Sequence, residues 1–190
     1  DGSKKKTGTI GTVGTTSFFP SKNLGAYGDG GAIFTNNDEL ASRMKMIVNH
    51  GQSKRYYHDI VGCNSRLDTV QAAVLNIKLK HLDEYIASRI AVADFYDRAF
   101  AGQTAITTPF RAQYGKHVFH QYTLKLDGIN RDGLKDYLEK QSIPSMIYYP
   151  VPGHKQKMFQ HFATSAVNLP VTDWLTERVI SLPIHTEMDK

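Results

Sequence analysis

Covalent chemistry in this 190-residue chain is best supported at Lys22. The lysine lies in "SFFPSKNLGAYGDGGAIFT", residues 17–35, between Phe18-Phe19-Pro20 on one side and Gly25, Gly28, Gly30 and Gly31 on the other. A lysine amine attacks a carbonyl carbon only in its neutral form, which burial or a nearby cation favours. Two phenylalanine rings would exclude water, and glycines let the backbone pass close to a bound molecule. Ser17, five residues earlier, offers a hydroxyl for a phosphate oxygen. The plainer reading is a surface lysine beside a turn between strands, and the residue types by themselves leave both open.

Other chemistry-bearing residues give weaker patterns. His117-x-x-His120 has a spacing seen in metal sites, but on a strand it sets the two rings on opposite faces, and no carboxylate cluster follows; it reads as structural, with no metal expected. A single cysteine, Cys63, can form neither an internal disulfide nor a metal cage, which suits a reducing cytoplasm. Gly8, Gly11 and Gly14 recur at every third position, matching neither a dinucleotide fingerprint nor a P-loop. The net charge of +5, from 23 basic and 18 acidic residues, fits either a solvated basic surface or an anionic ligand such as a phosphate or nucleotide. Nucleic acid is disfavoured, since Lys4-Lys5-Lys6 is the lone basic run and no aromatic residues interleave it. At 41% hydrophobic and 22% charged residues, with short apolar runs, the composition is that of a globular protein with no membrane partner and no signal peptide.

The elements around these residues follow from periodicity and caps. Residues 7–19, rich in Thr, Val, Ile and Gly, suit strand and tight turn, and residues 31–35 form a short apolar strand. Asn37 caps a helix with Asp38 and Glu39 in its first turn; Leu40, Met44, Ile47 and Val48 make its buried face, and His50-Gly51 ends it. Ser65-Arg66-Leu67-Asp68 has the shape of a capping box. Leu75, Leu79, Leu82, Ile86, Ile90 and Ala93 then step by three and four to about residue 100, which predicts one helix of roughly 50 Å. Such a helix bridges two domains or packs on a second subunit. Beyond Gly102 the spacing predicts a strand over 119–126, a helix from an Asn130 cap through Lys140, an extended proline-bearing segment over 143–151, and a last helix from a Thr172 cap through Ile180.

Three segments together carry a family resemblance. The stretch around Lys22, "HGQSKRYYHDIVGCNSRLDTVQAAVL" at 50–75 and "YYPVPGHKQKMF" at 148–159 resemble blocks of the DegT/DnrJ/EryC1/StrS sugar aminotransferases, enzymes of fold type I that depend on pyridoxal 5'-phosphate (PLP). The second block is similar to the branch acting on UDP-linked 3-keto sugars, including 2-acetamido-3-keto-glucuronate. The resemblance implies that Lys22 bonds PLP and shuttles protons, and that Ser17 binds the PLP phosphate. It implies that Asn64 reaches the phosphate of a neighbouring subunit's cofactor, which requires a homodimer, and that His154 lies near the sugar. Asn64 as a helix-cap residue and His154 as a turn residue remain open beside those roles, and His50 is read as a helix-end residue near the site.

The resemblance also implies an α/β, aspartate aminotransferase-like fold. Residues 1–75 would be the C-terminal part of a large PLP-binding domain, 76–102 a long connecting helix and 103–190 most of a small α+β domain. A chain opening on Asp1-Gly2-Ser3 and closing on "SLPIHTEMDK" reads as a C-terminal portion of such an enzyme, inactive in isolation. The implied reaction moves an amino group, from glutamate by the family's habit, to a nucleotide-linked keto-sugar for cell-surface polysaccharide synthesis. The rival class is a nucleotide-sugar-binding module without catalysis.

Overall fold

Asn37 starts the first helix, as its chemistry requires: Asn37 Oδ1 accepts the Leu40 N–H at 3.0 Å, and α1 runs over Asp38–Ile47. The computed structural model describes residues 4–159, 161 and 167–188. The chain ends read above, at 1–3 and 189–190, lie outside them. The chain divides into two compact units, 1–82 and 83–190.

In the first unit, β1 (Gly14–Ser17) and β2 (Gly31–Phe34) pair antiparallel, with Ser17 opposite Gly31. The strand expected over 7–19 is therefore four residues long. After α1, His50 and Gly51 both take left-handed backbone conformations, and a small antiparallel ribbon follows, β3 (Gln52–Lys54) with β4 (Tyr57–His58). α2 spans Thr69–Leu79. Its N-cap is Asp68, whose side chain makes no cap hydrogen bond, so the capping box read at Ser65 does not form. The face of α1 expected to be buried is only half-covered: Ile47 is 37% exposed, and Met44 and Val48 line an open groove with Thr16, Gly30, Phe34 and Leu67.

The single long helix is two helices. α2 stops at Leu79, and α3 runs over Leu82–Ala99. Lys80 and His81 turn back on the helix end, with Lys80 N–H donating to Ile77 O and His81 N–H to Lys78 O. The apolar period reads straight through because Leu79 and Leu82 keep it, although Leu79 is 54% exposed. Asp83 and Glu84, acids in the first turn of α3, are the sequence signal of a new helix start.

The second unit is built on a three-stranded antiparallel sheet in the order β5 (Ile106–Thr107), β6 (Tyr122–Leu126), β7 (Val179–Leu182). Alternation along β6 buries Tyr122, Leu124 and Leu126, which meet Ala93, Phe119 and Ile180 in one core. β6 starts at Tyr122 rather than at 119, because Phe119 takes φ 46°, outside the strand region. Asn130 Oδ1 accepts the Gly133 N–H at 2.9 Å and caps α4, Arg131–Lys140. The last helix, α5, is Pro170–Thr176 rather than 172–180: proline takes the first helical position, Leu169 the cap, and residues 179–182 join the sheet as β7. The extended segment expected over 143–151 pairs with that strand only at Met146, which exchanges both backbone hydrogen bonds with Ser181.

A buried arginine and a partly exposed cluster of charged groups tie the second unit together. Arg89, 8% exposed, donates from one terminal nitrogen to the carbonyls of Phe119, His120 and Ile184 at 3.0, 3.2 and 3.0 Å. Tyr122 Oη donates to Asp97 Oδ1 at 2.5 Å, while Arg111 pairs with Asp94 at 2.6 Å and with Asp97 at 2.5 Å. Burial, and then that hydrogen bond, push the Tyr122 phenol above its ordinary range.

Candidate active site

Lys22 sits at the tip of a loop closed by its own backbone. Phe18 N–H donates to Gly30 O at 2.8 Å, Ala26 N–H to Phe18 O at 2.8 Å, and Lys22 N–H to Phe19 O at 2.9 Å. Pro20 occupies the second position of the 19–22 turn, where its fixed φ is already suitable. Gly25 is buried, and a Cβ there would stand 2.3 Å from the Pro20 carbonyl oxygen. Lys22 is half-buried. Phe18 is half-buried and lies beside Gly30, whereas Phe19 is 50% exposed, so the two rings do not together exclude water as expected.

Ser17 closes β1 and opens this loop. Its Oγ accepts the Phe19 N–H at 3.2 Å, which uses a lone pair and leaves the hydroxyl proton available to a phosphate oxygen. Amine and hydroxyl thus share one loop. By donor chemistry alone, an amine suits the aldehyde carbon of PLP and a hydroxyl suits its phosphate.

The other expected site residues belong to other elements than this loop. Asn64 is exposed on the strap between β4 and α2, bridged antiparallel to Asn49 and four residues before the Asp68 cap of α2, which leaves it no capping role there. Arg66 reaches Asn49 Oδ1 at 3.0 Å, and Leu67 lies against Gly30, so the end of this strap borders the loop base. His50 works through its backbone: its N–H donates to Cys63 O, and its carbonyl meets His58 Nδ1 at 2.8 Å. His154 belongs to the second unit, where its Nε2 stands 3.4 Å from Asp173 Oδ1 and Lys155 Nζ reaches the same oxygen at 2.8 Å. His117 and His120 precede β6 instead of lying on it, and His117 Nδ1 accepts the Phe119 N–H at 3.0 Å. Among the described residues no cluster of three or more His, Cys, Asp or Glu could hold a metal ion. No helix among them is long and apolar enough to cross a membrane.

Two residues of this site went unread in the sequence. Gln71 Oε1 accepts the Tyr27 N–H at 2.8 Å, and Lys78 Nζ donates to Gly25 O at 2.5 Å. Both come from α2, 44 and 53 residues along the chain from their partners, and no local spacing signals them.

The profile of the DegT/DnrJ/EryC1/StrS aminotransferase family matches residues 1–190. The chain belongs to this family. Among curated proteins it is 46% identical over 97% of its length to the UDP-2-acetamido-2-deoxy-3-oxo-D-glucuronate aminotransferase of Pseudomonas aeruginosa. It is 43% identical, again over 97%, to a "Pleiotropic regulatory protein" of Geobacillus stearothermophilus. The chain spans about half the length of these relatives, 50% of each. A crystal structure of a family aminotransferase from Brucella abortus superposes with a TM-score of 0.87 at 40% identity, over 96% of this chain and 48% of that one. The mixed α/β fold is thus that of the family's enzymes. PLP is their cofactor, and the NtdA protein of Bacillus subtilis, 28% identical with a TM-score of 0.83 over 92% of this chain and 42% of its own, was solved with PMP bound.

Proposed function

We propose that the protein containing this chain transfers an amino group to a nucleotide-linked keto-sugar, with PLP held on Lys22. The observation that carries this reading is the closed loop bearing both the Lys22 amine and the Ser17 hydroxyl, in a chain of an aminotransferase family. PLP bound there would supply an electron sink for the carbon that gains or loses the amino group. Lys22 Nζ would hold the cofactor's aldehyde carbon and, once released by the incoming amine, would take up a proton and return it. Ser17 Oγ would donate to a phosphate oxygen. We assign Asn64 to the phosphate of a partner copy's cofactor, so that a homodimer is the working unit, and His154 to the neighbourhood of the sugar.

The substrate reading follows the 46% identical relative, whose name specifies a UDP-linked 3-oxo sugar acid. Glutamate as donor, a role in cell-surface polysaccharide synthesis and a cytoplasmic location complete the proposal. In the same reading residues 1–75 belong to a large cofactor-binding domain and 103–190 to a small one.

The test uses the full-length protein. It is incubated with PLP, reduced with borohydride and digested, and the Lys22 peptide is weighed. A pyridoxyl-phosphate adduct on Lys22, together with 2-oxoglutarate release from glutamate and a UDP-3-keto-sugar, is the expected result. An unlabelled Lys22 peptide overturns the reading. The rival reading is a nucleotide-sugar-binding module without catalysis; the name of the 43% identical relative specifies a regulatory protein and no reaction. That reading requires nucleotide-sugar binding with neither the adduct nor turnover.

A further inference from the structure

The loop that presents Lys22 is closed at its base by backbone hydrogen bonds, but those bonds tie it mainly to itself and to Gly30. Two side chains on one face of α2 tie residues 25–28 to the body of the first unit. Gln71, Leu75 and Lys78 follow at i, i+4 and i+7, so they share that face. Leu75 between them is 7% exposed, which seats the face against the protein. From one end Gln71 Oε1 accepts the Tyr27 N–H at 2.8 Å, and its Nε2 lies 3.1 Å from where a Cβ on Gly28 would stand. From the other end the half-buried Lys78 ammonium donates to the Gly25 carbonyl at 2.5 Å and stands 5.7 Å from the centre of the Tyr27 ring.

We propose that Gln71 and Lys78 are positioning residues for Lys22, a two-point clamp on the 25–28 crosspiece. Neither needs to touch cofactor or substrate. The Pro20 carbonyl rests against Gly25, so a displacement of Gly25 moves the 19–22 turn with it. Lys78 makes the stronger of the two holds, since a charged donor on a carbonyl in partly buried surroundings outweighs a neutral amide contact. The crosspiece therefore has one location while the clamp is closed, and Lys22 is presented in one direction. This inference rests on the PLP reading for its consequence, but not for the clamp itself.

The experiment separates the two. In the full-length protein, Lys78→Met keeps the apolar stem and removes the donor, Lys78→Arg keeps a donor, and Gln71→Ala removes the acceptor. Hydrogen–deuterium exchange of the cofactor-free protein is followed in peptides covering 18–28. Exchange there should rise about tenfold to a hundredfold in Lys78→Met, the range one charge-assisted hydrogen bond commands, while α1 and β3–β4 stay unchanged. In parallel, the rate at which PLP and borohydride label Lys22 should fall at least about tenfold in Lys78→Met and about twofold to tenfold in Gln71→Ala, and recover in Lys78→Arg. Recovery by arginine at an unchanged melting temperature distinguishes positioning from general stabilisation. Wild-type exchange over 18–28 in Lys78→Met overturns the clamp, and so does exchange raised equally throughout the first unit. Loosened exchange with undiminished labelling overturns the positioning role. If the wild type itself takes no label, the PLP reading fails, and the exchange of the cofactor-free variants still decides the clamp.

Discussion

Replacing Arg89 by methionine should loosen the second unit more than any surface change, and the size of the effect can be worked from the contacts. One guanidinium nitrogen of Arg89 serves the carbonyls of Phe119, His120 and Ile184. That nitrogen carries two hydrogens, so three acceptors share two donors. Counted as two charge-assisted bonds at about 1.5–3 kcal/mol each, the gross loss is about 3–6 kcal/mol. Methionine keeps an apolar stem of similar length but leaves the carbonyls without their charged donor, and removing one partner of a buried charged interaction typically costs about 3–5 kcal/mol, so a net cost in that range is expected. The opening equilibrium of the segments that Arg89 ties should therefore rise about a hundredfold to several thousandfold. The assay is hydrogen–deuterium exchange at 119–126 and 179–184, with the fluorescence of Trp174 in urea as a second probe; it is the single tryptophan of the chain and lies in the same unit. Burial lowers the Arg89 pKa from its ordinary value, yet a guanidinium remains charged in any ordinary buffer, so the effect should not vary with pH. The conservative variant Arg89→Lys should restore only part of the protection, because an ammonium on a shorter stem cannot span the same three carbonyls. An increase in exchange below about tenfold for Arg89→Met would refute the accounting.

Three further outcomes follow from named contacts. The Tyr122 phenol, with its pKa raised in the folded protein, stays protonated there at pH values where an unfolded tyrosine ionises. Its contribution is thus complete below about pH 10 and is lost as pH rises from there through the folded value. Tyr122→Phe should cost about 1–3 kcal/mol at neutral pH and flatten the alkaline fall in urea midpoint; an unchanged slope would contradict this. Asn37→Ala should cost about 1 kcal/mol, read as faster exchange in the first turn of α1. Mixing full-length Lys22→Ala with full-length Asn64→Ala, each inactive alone, should restore some transaminase activity in hybrid dimers. Subunit exchange without recovered activity would show that Asn64 serves its own subunit or none.

The features legible in the sequence were those decided within a few residues. Asn37 and Asn130 cap their helices because a cap is a contact to the third residue on, and the residue type nearly dictates it. Alternation along β6 is equally local. Errors arose where two local signals competed. Thr172 is a plausible cap, but Pro170 two residues earlier claims the first helical position, and Thr172 ends up inside the helix with its carbonyl accepting from Thr176 Oγ1 at 2.8 Å. Ser65 and Asp68 both suit a helix start, and the chain takes the later one. The break at Lys80-His81 leaves the apolar period intact, so periodicity could not see it. That Lys22 and Ser17 lie in one loop was legible because only five residues separate them. Gln71 and Lys78 were not, because they meet that loop only through the tertiary fold.

The glycines around Lys22 do something other than what their pattern suggests. Their pattern suggests room for a bound molecule beside the backbone. In the structure Gly25 instead admits the Pro20 carbonyl, and Gly30 admits the Leu67 side chain, where a Cβ would be 2.8 Å from Cδ1. The space that a side chain would need is filled by the protein itself. The shape of the loop is therefore set by chain-to-chain packing and does not depend on a ligand to hold it. The cofactor-bonding role proposed for Lys22 would gain from this, since each group already in place before binding is one whose ordering does not have to be offset by binding energy. The 25–28 crosspiece, with its α2 partners, belongs to the same logic: glycine permits the close approach, and the side chains of Gln71 and Lys78 fix what the glycines alone would leave free.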